Sequence, residues 1–293
     1  MSRAATLKNK VRVIKEQSRL KKLLYYIDKN QKGLEIGPSL RPVAPKKEGY
    51  QVEIIDHLSQ AELIEKYAAM GLDTSKIEEV DYIWNGSSYC ELTGKKDYYD
   101  YIIASHVIEH TADFIGFLQD CSMMLNENGI LSLAVPDKRY TLDHFRMVTT
   151  TGKMIDDYLA PAKTGSVGTL MDFCLHAVSR SGKTAWSRYL DGLLKRDYSF
   201  IHDYAQTQGA YEEAVKHPGF HDIHQYIFTP SSFALLIVEL GEYGFIDFTV
   251  DKMYPTVTDE FIVLLRKKKE VSGLSDNEKM KLIKKVSKEN RIK

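Results

Sequence analysis

The chain has 293 residues, 43% of them hydrophobic and 27% charged, which is the composition of a globular protein with a substantial core. No apolar run reaches the length of a membrane span, and the first residues lack the apolar segment of a secretory signal, so we expect a cytoplasmic protein. Three widely separated cysteines form no C-x-x-C pair, which argues against a disulfide framework and against a cysteine-based zinc site.

The formal net charge of zero conceals an uneven distribution of charged side chains. Residues 1–32 carry ten basic and two acidic side chains, and residues 266–293 carry eleven and four. Residues 33–265 therefore have a net charge of −15. We predict a basic amphipathic helix in 1–32 and a basic tail in 266–293, with a short helix that begins at a capping-box spacing.

Basic ends of this kind can rest on an anionic membrane surface or bind another acidic partner. They can also pack on the acidic body of the chain, or pair with each other in a homodimer. A nucleic-acid partner is not expected, because the acidic body would repel a phosphate backbone.

Short apolar runs then alternate with helical stretches, a pattern typical of βαβ units around a parallel sheet. Five strands are predicted in chain order, at 33–37, 50–56, 80–84, 99–105 and 130–136. Helices are predicted between some of them, in AELIEKYAAMG and in ADFIGFLQDCSMMLNENG, where Gly129 is a suitable end.

The alternation breaks at about residue 138 and returns near residue 226. A helix is predicted from Phe233 to Tyr243, followed by two strands in FIDFTVD and EFIVLLRK. We therefore interpret 33–265 as one α/β domain with a substrate-side insertion at about 138–226. Within the insertion, AVSRSGKT nearly matches a phosphate-binding loop but follows a poor candidate strand, which disfavours a nucleotide-dependent kinase.

The stretch LEIGPSLRP at the end of the first strand indicates the ligand. Gly37 lets a ligand approach the backbone, Glu35 can accept hydrogen bonds from its polar group, and Asp56 after the second strand can accept ribose hydroxyls. Ser39 and Pro42 occupy positions where a pyrophosphate-binding loop needs glycine. A nucleoside with an amino-acid end and no phosphate is S-adenosylmethionine. Alternatively, Glu35 only caps the turn and Asp56 is a surface residue.

The segments LEIGPSLRP, VEIIDH, DYIIASHVIEHTADFIGFLQDCSMMLNENGILSLAVPDKRYTLDHFR and FTPSSF resemble the class I S-adenosylmethionine-dependent methyltransferases. The resemblance is strongest to a bacterial group found beside surface-polysaccharide glycosyltransferases. It implies a Rossmann-like sheet of seven strands, the last one reversed. By this resemblance the cofactor-binding residues are Glu35, Gly37, Asp56, Asn85, Gly86, Ser105 and His106.

Candidates for the chemistry follow from what methyl transfer to a hydroxyl requires. The reacting groups must be aligned, and a nearby histidine or carboxylate must take the hydroxyl proton. His110 in SHVIEH is one candidate, although this segment can instead cap the following helix. His224 and Asp222 in HPGFHDIHQY form a second group, either a base with its orienting carboxylate or a divalent-metal site. The spacing of this second group matches no recognised metal signature, so we predict a base and no metal.

Acceptor binding is predicted for Arg139, His144 and Arg146, which follow the fifth strand. The two arginines can bind a carboxylate or phosphate of the acceptor, or form a surface ion-pair cluster. The predicted function is O-methylation of a sugar hydroxyl on a saccharide or glycolipid, at the inner membrane surface if the basic ends bind lipid. The alternatives are a non-catalytic adaptor of a polysaccharide-synthesis complex and a nicotinamide-dependent oxidoreductase.

Overall fold

The protein is represented by a computed structural model that describes residues 3–160, 165–188, 197–268 and 273–291, without the side chains of residues 3–12. These described residues include nine strands in chain order: β1 (Gly33–Ile36), β2 (Val52–Asp56), β3 (Tyr82–Ile83), β4 (Tyr99–Ser105), β5 (Leu125–Pro136), β6 (Val178–Arg180), β7 (Tyr198–Phe200), β8 (Phe248–Tyr254) and β9 (Glu260–Lys267).

Seven of these strands form the central sheet, in the order β3-β2-β1-β4-β5-β9-β8. Strands β1 to β5 pair in parallel, whereas β9 runs antiparallel to both β5 and β8. This confirms the predicted α/β class, the seven-stranded Rossmann-like sheet and the reversed last strand. The amino end of β9 therefore lies at the same edge of the sheet as the carboxyl ends of β4 and β5.

The described residues include nine α-helices: α1 (Arg3–Leu23), α2 (Gln60–Ala69), α3 (Tyr89–Thr93), α4 (Phe114–Met124), α5 (Thr151–Leu159), α6 (Val167–His176), α7 (Tyr204–Lys216), α8 (Pro230–Glu242) and α9 (Asp276–Glu289). Side-chain caps explain several of their starts. Asp113 accepts a hydrogen bond from the backbone N–H of Gly116, and Thr229 and Ser232 cap α8 reciprocally ahead of the predicted start.

The prediction of helix through residues 125–129 was wrong. Helix α4 ends at Met124, and β5 begins at Leu125, which pairs with Tyr99 across an irregularity in the ladder. Asn128 adopts a left-handed conformation at φ +63°, which lets the strand turn before it continues. Pairing with β4 therefore overrides the local helical pattern.

The two faces of the sheet carry different cores. The larger core packs α4 and α8 on one face, through residues such as Phe114, Leu118 and Phe233. The opposite core includes Leu23 at the end of α1 and Tyr101 on β4. A Cβ on Gly33 would stand 2.0 Å from the Tyr101 ring, so a side chain at the start of β1 would collide with this core.

The insertion contains α5 to α7 and the two-stranded β6–β7 sheet. The AVSRSGKT stretch forms β6 and a tight turn, with Ser181 and Gly182 at positive φ. Residues 183–187 after it are not helical, so the geometry is not that of a phosphate-binding loop, in which the helix begins at the Lys and Thr positions.

Both basic ends contact the body. The carbonyl of Leu23 in α1 accepts a hydrogen bond from Ser132 Oγ at 2.7 Å, and Lys279 in α9 lies 3.0 Å from Glu242 of α8. Among the described helices, none is long and apolar enough to cross a membrane.

Candidate active site

Polar side chains gather at the edge of the sheet where the parallel strands end. Glu35 and Asp56 stand at or next to the ends of β1 and β2, and Ser105 ends β4. Glu260 joins them because β9 is antiparallel and begins opposite Pro136. In open α/β sheets, ligands bind in the crevice outside these strand ends.

Glu35 organises the loop that follows β1. Its side chain is buried, and its two carboxylate oxygens accept hydrogen bonds from the backbone N–H groups of Val43 at 2.7 Å and Ala44 at 3.0 Å. Burial raises the pKa of Glu35 to about 7, against the opposing effect of these two donors. The structure thus places Glu35 as a brace for the loop, with both oxygens already in use.

Gly37 and Asp56 form the part of the edge that fits a nucleoside. Gly37 has φ +64°, and a Cβ there would stand 3.0 Å from a methyl carbon of Val107. Asp56 is buried and accepts hydrogen bonds from the N–H groups of Ser39 at 2.9 Å and His57 at 2.8 Å. The side chains of Ser39 (Oγ at 3.3 Å) and His57 (Nδ1 at 2.6 Å) also contact these oxygens, so a ribose diol would take the place of these two side-chain contacts.

Asn85 and Gly86 lie in the loop after β3. The Asn85 side chain accepts a hydrogen bond from the N–H of Ser87 at 3.0 Å, and the Trp84 indole N–H donates to the carbonyl of Ser87 at 2.9 Å. Gly86 has φ +92°, and no described heavy atom lies within 4 Å of where its Cβ would stand. Hydrogen bonds between residues of the loop therefore fix its conformation, and the space beside Gly86 is open.

Ser105 and His106 contact the N-terminal helix α1 and the start of β9, respectively. His106 adopts φ +56°, and its Nε2 lies 2.8 Å from Oε2 of Glu260. Arg19 of α1 donates from Nε to Glu260 at 2.6 Å and from Nη2 to Ser105 Oγ at 2.6 Å. The N-terminal helix thus reaches into the edge where the cofactor is expected.

These contacts determine the charge states at this edge. Burial disfavours the charged form of Glu260, but hydrogen bonds from His106 and Arg19 outweigh it and lower its pKa to about 2. Burial likewise disfavours the imidazolium of His106, but Glu109 and Glu260 raise its pKa to about 10. Glu260 is therefore ionised and His106 protonated at neutral pH.

His110 and His224 come together over Glu109, although they are far apart in the sequence. Their rings meet edge to face, with centroids 4.8 Å apart. His224 Nδ1 lies 2.5 Å from Asp143 Oδ2, and His110 Nδ1 lies 3.1 Å from Oδ1 of the exposed Asp222. Burial lowers and Asp143 raises the pKa of His224, with a net upward shift. The predicted residues His110, Asp222 and His224 thus form one cluster.

The predicted acceptor residues are committed to internal contacts. Arg139 pairs with the buried Asp137 through Nη2 at 2.6 Å, and buried Arg146 pairs with Asp143 at 2.7 Å. His144 stacks on Tyr198 with ring centroids 5.0 Å apart. An acceptor anion would have to displace the buried Asp143 carboxylate to reach Arg146, whereas the guanidinium of Arg139 is 26% exposed. Arg146 therefore has a structural role next to the cluster.

Three residues important to this geometry were absent from the predicted set: Arg19, Asp143 and Glu260. Of the three, only Glu260 could have been recognised from the sequence, because it is an acidic residue at the start of the predicted antiparallel strand. Asp143 is spaced for a helical pair with Arg146, a common spacing that identifies no site.

A family model described as a methyltransferase domain matches residues 10–190. The chain belongs to this methyltransferase-domain family. Its cofactor is S-adenosylmethionine, and Gly37 follows β1 and Asp56 ends the neighbouring parallel strand β2, at the edge of the sheet where ligands of this fold bind. A comparison with curated protein sequences gave no match.

Solved structures of methyltransferases are also similar to this methyltransferase-domain chain. A Listeria monocytogenes protein assigned as an S-adenosylmethionine-dependent methyltransferase is 13% identical, with a TM-score of 0.44, covering 87% of this chain and 97% of its own. The Burkholderia thailandensis 1,6-didemethyltoxoflavin-N1-methyltransferase, solved with S-adenosylhomocysteine, is 11% identical, with a TM-score of 0.42, covering 86% and 78%.

Proposed function

We propose that this methyltransferase-domain protein methylates a hydroxyl of a saccharide or glycoconjugate. The observation that supports it best is a cluster of three side chains at the edge where ligands of this fold bind. Glu109 and His110 follow β4 directly, and His224 joins them from the segment before α8. The cofactor supplies an electrophilic methyl group. The chain must align the acceptor oxygen and remove its proton, because a neutral hydroxyl is a weak nucleophile.

The His224–Asp143 pair suits that proton transfer. Asp143 engages Nδ1 of His224, so Nε2 is the nitrogen left to face an acceptor. Arg146 holds Asp143 from the other side at 2.7 Å and also donates to the carbonyl of His224 at 3.0 Å. These contacts fix the orientation of the imidazole, as a positioned base requires.

A saccharide acceptor is supported by the resemblance to polysaccharide-associated methyltransferases. Exposed aromatic side chains on the insertion, Phe200, Tyr204 and Phe220, add apolar surface suited to the faces of sugar rings. Trp186 and Tyr198 are not part of that surface, because they pack with His144 in the interior of the insertion.

The test is transfer of labelled methyl to a panel of nucleotide-linked and lipid-linked saccharides, with amines and carboxylic acids as competing acceptors. His224→Ala should lower turnover by about 100-fold or more while S-adenosylhomocysteine still binds. His217→Ala is the control, because that side chain is exposed and lies outside the cluster. Labelling of amines alone would contradict O-methylation. If the folded protein does not bind S-adenosylhomocysteine, the alternative of a non-catalytic adaptor is favoured.

We also propose that α9 contacts an anionic membrane surface. Its exposed residues include Lys281, Lys284 and Lys285, together with the apolar Met280 at 50% and Ile283 at 37% exposure. Changing the three lysines to glutamate should abolish sedimentation with phosphatidylglycerol vesicles. Binding that survives this change, or equal binding to phosphatidylcholine vesicles, would contradict the proposal.

The matched control for that experiment changes three exposed lysines of the body, Lys76, Lys96 and Lys216, to glutamate. This control alters the net charge equally and should leave vesicle binding largely intact. A homodimer remains a prediction, and light scattering on the purified chain is its direct measurement.

A further inference from the structure

Glu109 is a buried carboxylate without a hydrogen-bond donor. Its side chain is 0% exposed, and neither oxygen accepts a hydrogen bond from any described residue. The closest cationic group is His106 Nδ1 at 3.4 Å, and that imidazole is shared with Glu260. His106 supplies a compensating positive charge but no hydrogen bond, so both oxygens of Glu109 keep lone pairs that a ligand can use.

Two histidines present their remaining nitrogens to this carboxylate. Asp143 lies 2.5 Å from Nδ1 of His224, and Asp222 lies 3.1 Å from Nδ1 of His110. In His224, Nε2 is therefore the free nitrogen. In His110, Nδ1 makes no hydrogen bond despite its contact with Asp222, and Nε2 lies 3.9 Å from Glu109 Oε1. Histidines that bind metals usually have a carboxylate on the second nitrogen, which orients the ring and increases its basicity.

The backbone holds the three groups together. The carbonyl of Glu109 accepts hydrogen bonds from the N–H groups of Gln225 at 2.7 Å and Tyr226 at 3.2 Å. One ligand atom from each of Glu109, His110 and His224 lies within 4.8 Å of the other two. Bonds of about 2.0–2.2 Å would bring such atoms to at most about 4.4 Å apart, so small side-chain rotations close the site.

We propose that Glu109, His110 and His224 bind one divalent transition-metal ion. Two imidazoles and one carboxylate are a ligand set for ions such as Zn²⁺, Mn²⁺ or Co²⁺, and they leave coordination positions open. His110 and His224 are only partly buried, and the exposed Asp222 lies beside them, so the open positions face the accessible side of the cluster.

The metal site deepens the proposed function and rests on it for the role of the ion. A metal-bound acceptor hydroxyl would have a lower pKa and would lose its proton to solvent on the Asp222 side. Its oxygen would then form the bond to the methyl carbon while the carbon–sulfur bond of the cofactor breaks, and S-adenosylhomocysteine would leave. The ion stays divalent throughout. His224 is then a ligand, and the ion replaces it in activating the hydroxyl.

The first experiment needs no acceptor. Full-length, tag-free protein is stripped with EDTA, dialysed and titrated calorimetrically with Mn²⁺ and Zn²⁺. We expect one site per chain, and addition of Co²⁺ should give visible absorption typical of imidazole and carboxylate ligands in a site of low coordination number. Absence of stoichiometric binding by any of the three ions, in protein that still binds S-adenosylhomocysteine, would overturn the metal site and leave the methyltransferase assignment intact.

The variants make the result specific to the cluster. Glu109→Gln preserves side-chain size and should weaken metal binding by about 30-fold or more, and His110→Ala should remove the cobalt absorption. His217→Ala should change neither. Retained affinity for S-adenosylhomocysteine shows that each variant is folded. Metal affinity in Glu109→Gln equal to that of the unmodified chain would also overturn the proposal.

Discussion

Arg19 and Glu260 are 241 residues apart in the chain and form a two-pronged ion pair, with Nε to Oε1 at 2.6 Å and Nη2 to Oε2 at 3.1 Å. The pair joins α1 to the start of β9 at the carboxyl edge of the sheet. Through Glu260 it also reaches His106. Part of the positive charge of the N-terminal segment therefore forms an ion pair with the acidic body of the protein.

Arg19→Ala should destabilise the fold, because Glu260 would remain partly buried with only His106 as a partner. We expect a loss of about 2 kcal/mol in the free energy of unfolding, below the range for a fully buried pair because both side chains keep some exposure. Urea unfolding measures it. Lys15→Ala, at an exposed position on the same helix, is the control and should change stability little. Equal stability of the two variants would contradict the structural role of the pair.

Glu35 predicts a pH dependence of stability. Its folded-state pKa is about 7 against an ordinary value of 4.5, so the native state holds a proton that the unfolded state has lost between these values. The stabilisation that this proton gives the native state is fully present below about pH 4.5 and is lost as the pH rises through 7. The shift corresponds to about 3 kcal/mol.

The measurement is urea unfolding from pH 4.5 to 8. Glu35→Gln should lack this decline, so the stability of the unmodified protein relative to the variant should fall as the pH rises, and the variant should lose one of the two loop hydrogen bonds. Glu65→Gln, at an exposed position on α2, should keep the decline. An unchanged slope in Glu35→Gln would show that Glu35 is ionised throughout.

Asp56→Asn should weaken cofactor binding. An ionised acceptor for a ribose hydroxyl contributes about 1.5–3 kcal/mol, so we expect affinity for S-adenosylhomocysteine to fall by about 10-fold to 100-fold. Calorimetric titration gives the affinity. Asp73→Asn, in the exposed loop before β3, is the control. Unchanged affinity in the Asp56 variant would remove Asp56 from the cofactor site.

Asp143→Asn should affect both turnover and stability. It leaves the buried Arg146 without its anionic partner and His224 without the carboxylate that orients it. We expect turnover to fall by about 10-fold to 100-fold, with little change in affinity for S-adenosylhomocysteine. Thermal unfolding and methyl-transfer kinetics measure the two effects. Asp172→Asn, whose side chain is 71% exposed, is the control. Unaltered kinetics in Asp143→Asn would rule out this orienting role.

The sequence was most informative where structure follows from local patterns. The apolar runs that became β1, β2, β4 and the last two strands were identified because a buried strand must be apolar along its length. The boundary between α4 and β5 was misplaced, since pairing of Leu125 with Tyr99 decides it and leaves no local signal. Gly37 and Asp56 were predicted as site residues because each follows or ends a strand.

The sequence by itself therefore determined the α/β sheet and the strand ends at which a nucleoside site is predicted, and the resemblance to methyltransferases supplied the reversed last strand. The tertiary structure alone decided that Glu35 accepts hydrogen bonds from the loop after β1 and that Arg146 forms an ion pair with Asp143. It also brought His224 next to His110 and Glu109. The physical reason is the separation of the contacting residues along the chain. Hydrophobic periodicity is visible among neighbouring residues, whereas the contact of His224 with Asp143 joins residues that are 81 positions apart. Its geometry exists only after the sheet and the insertion have packed together.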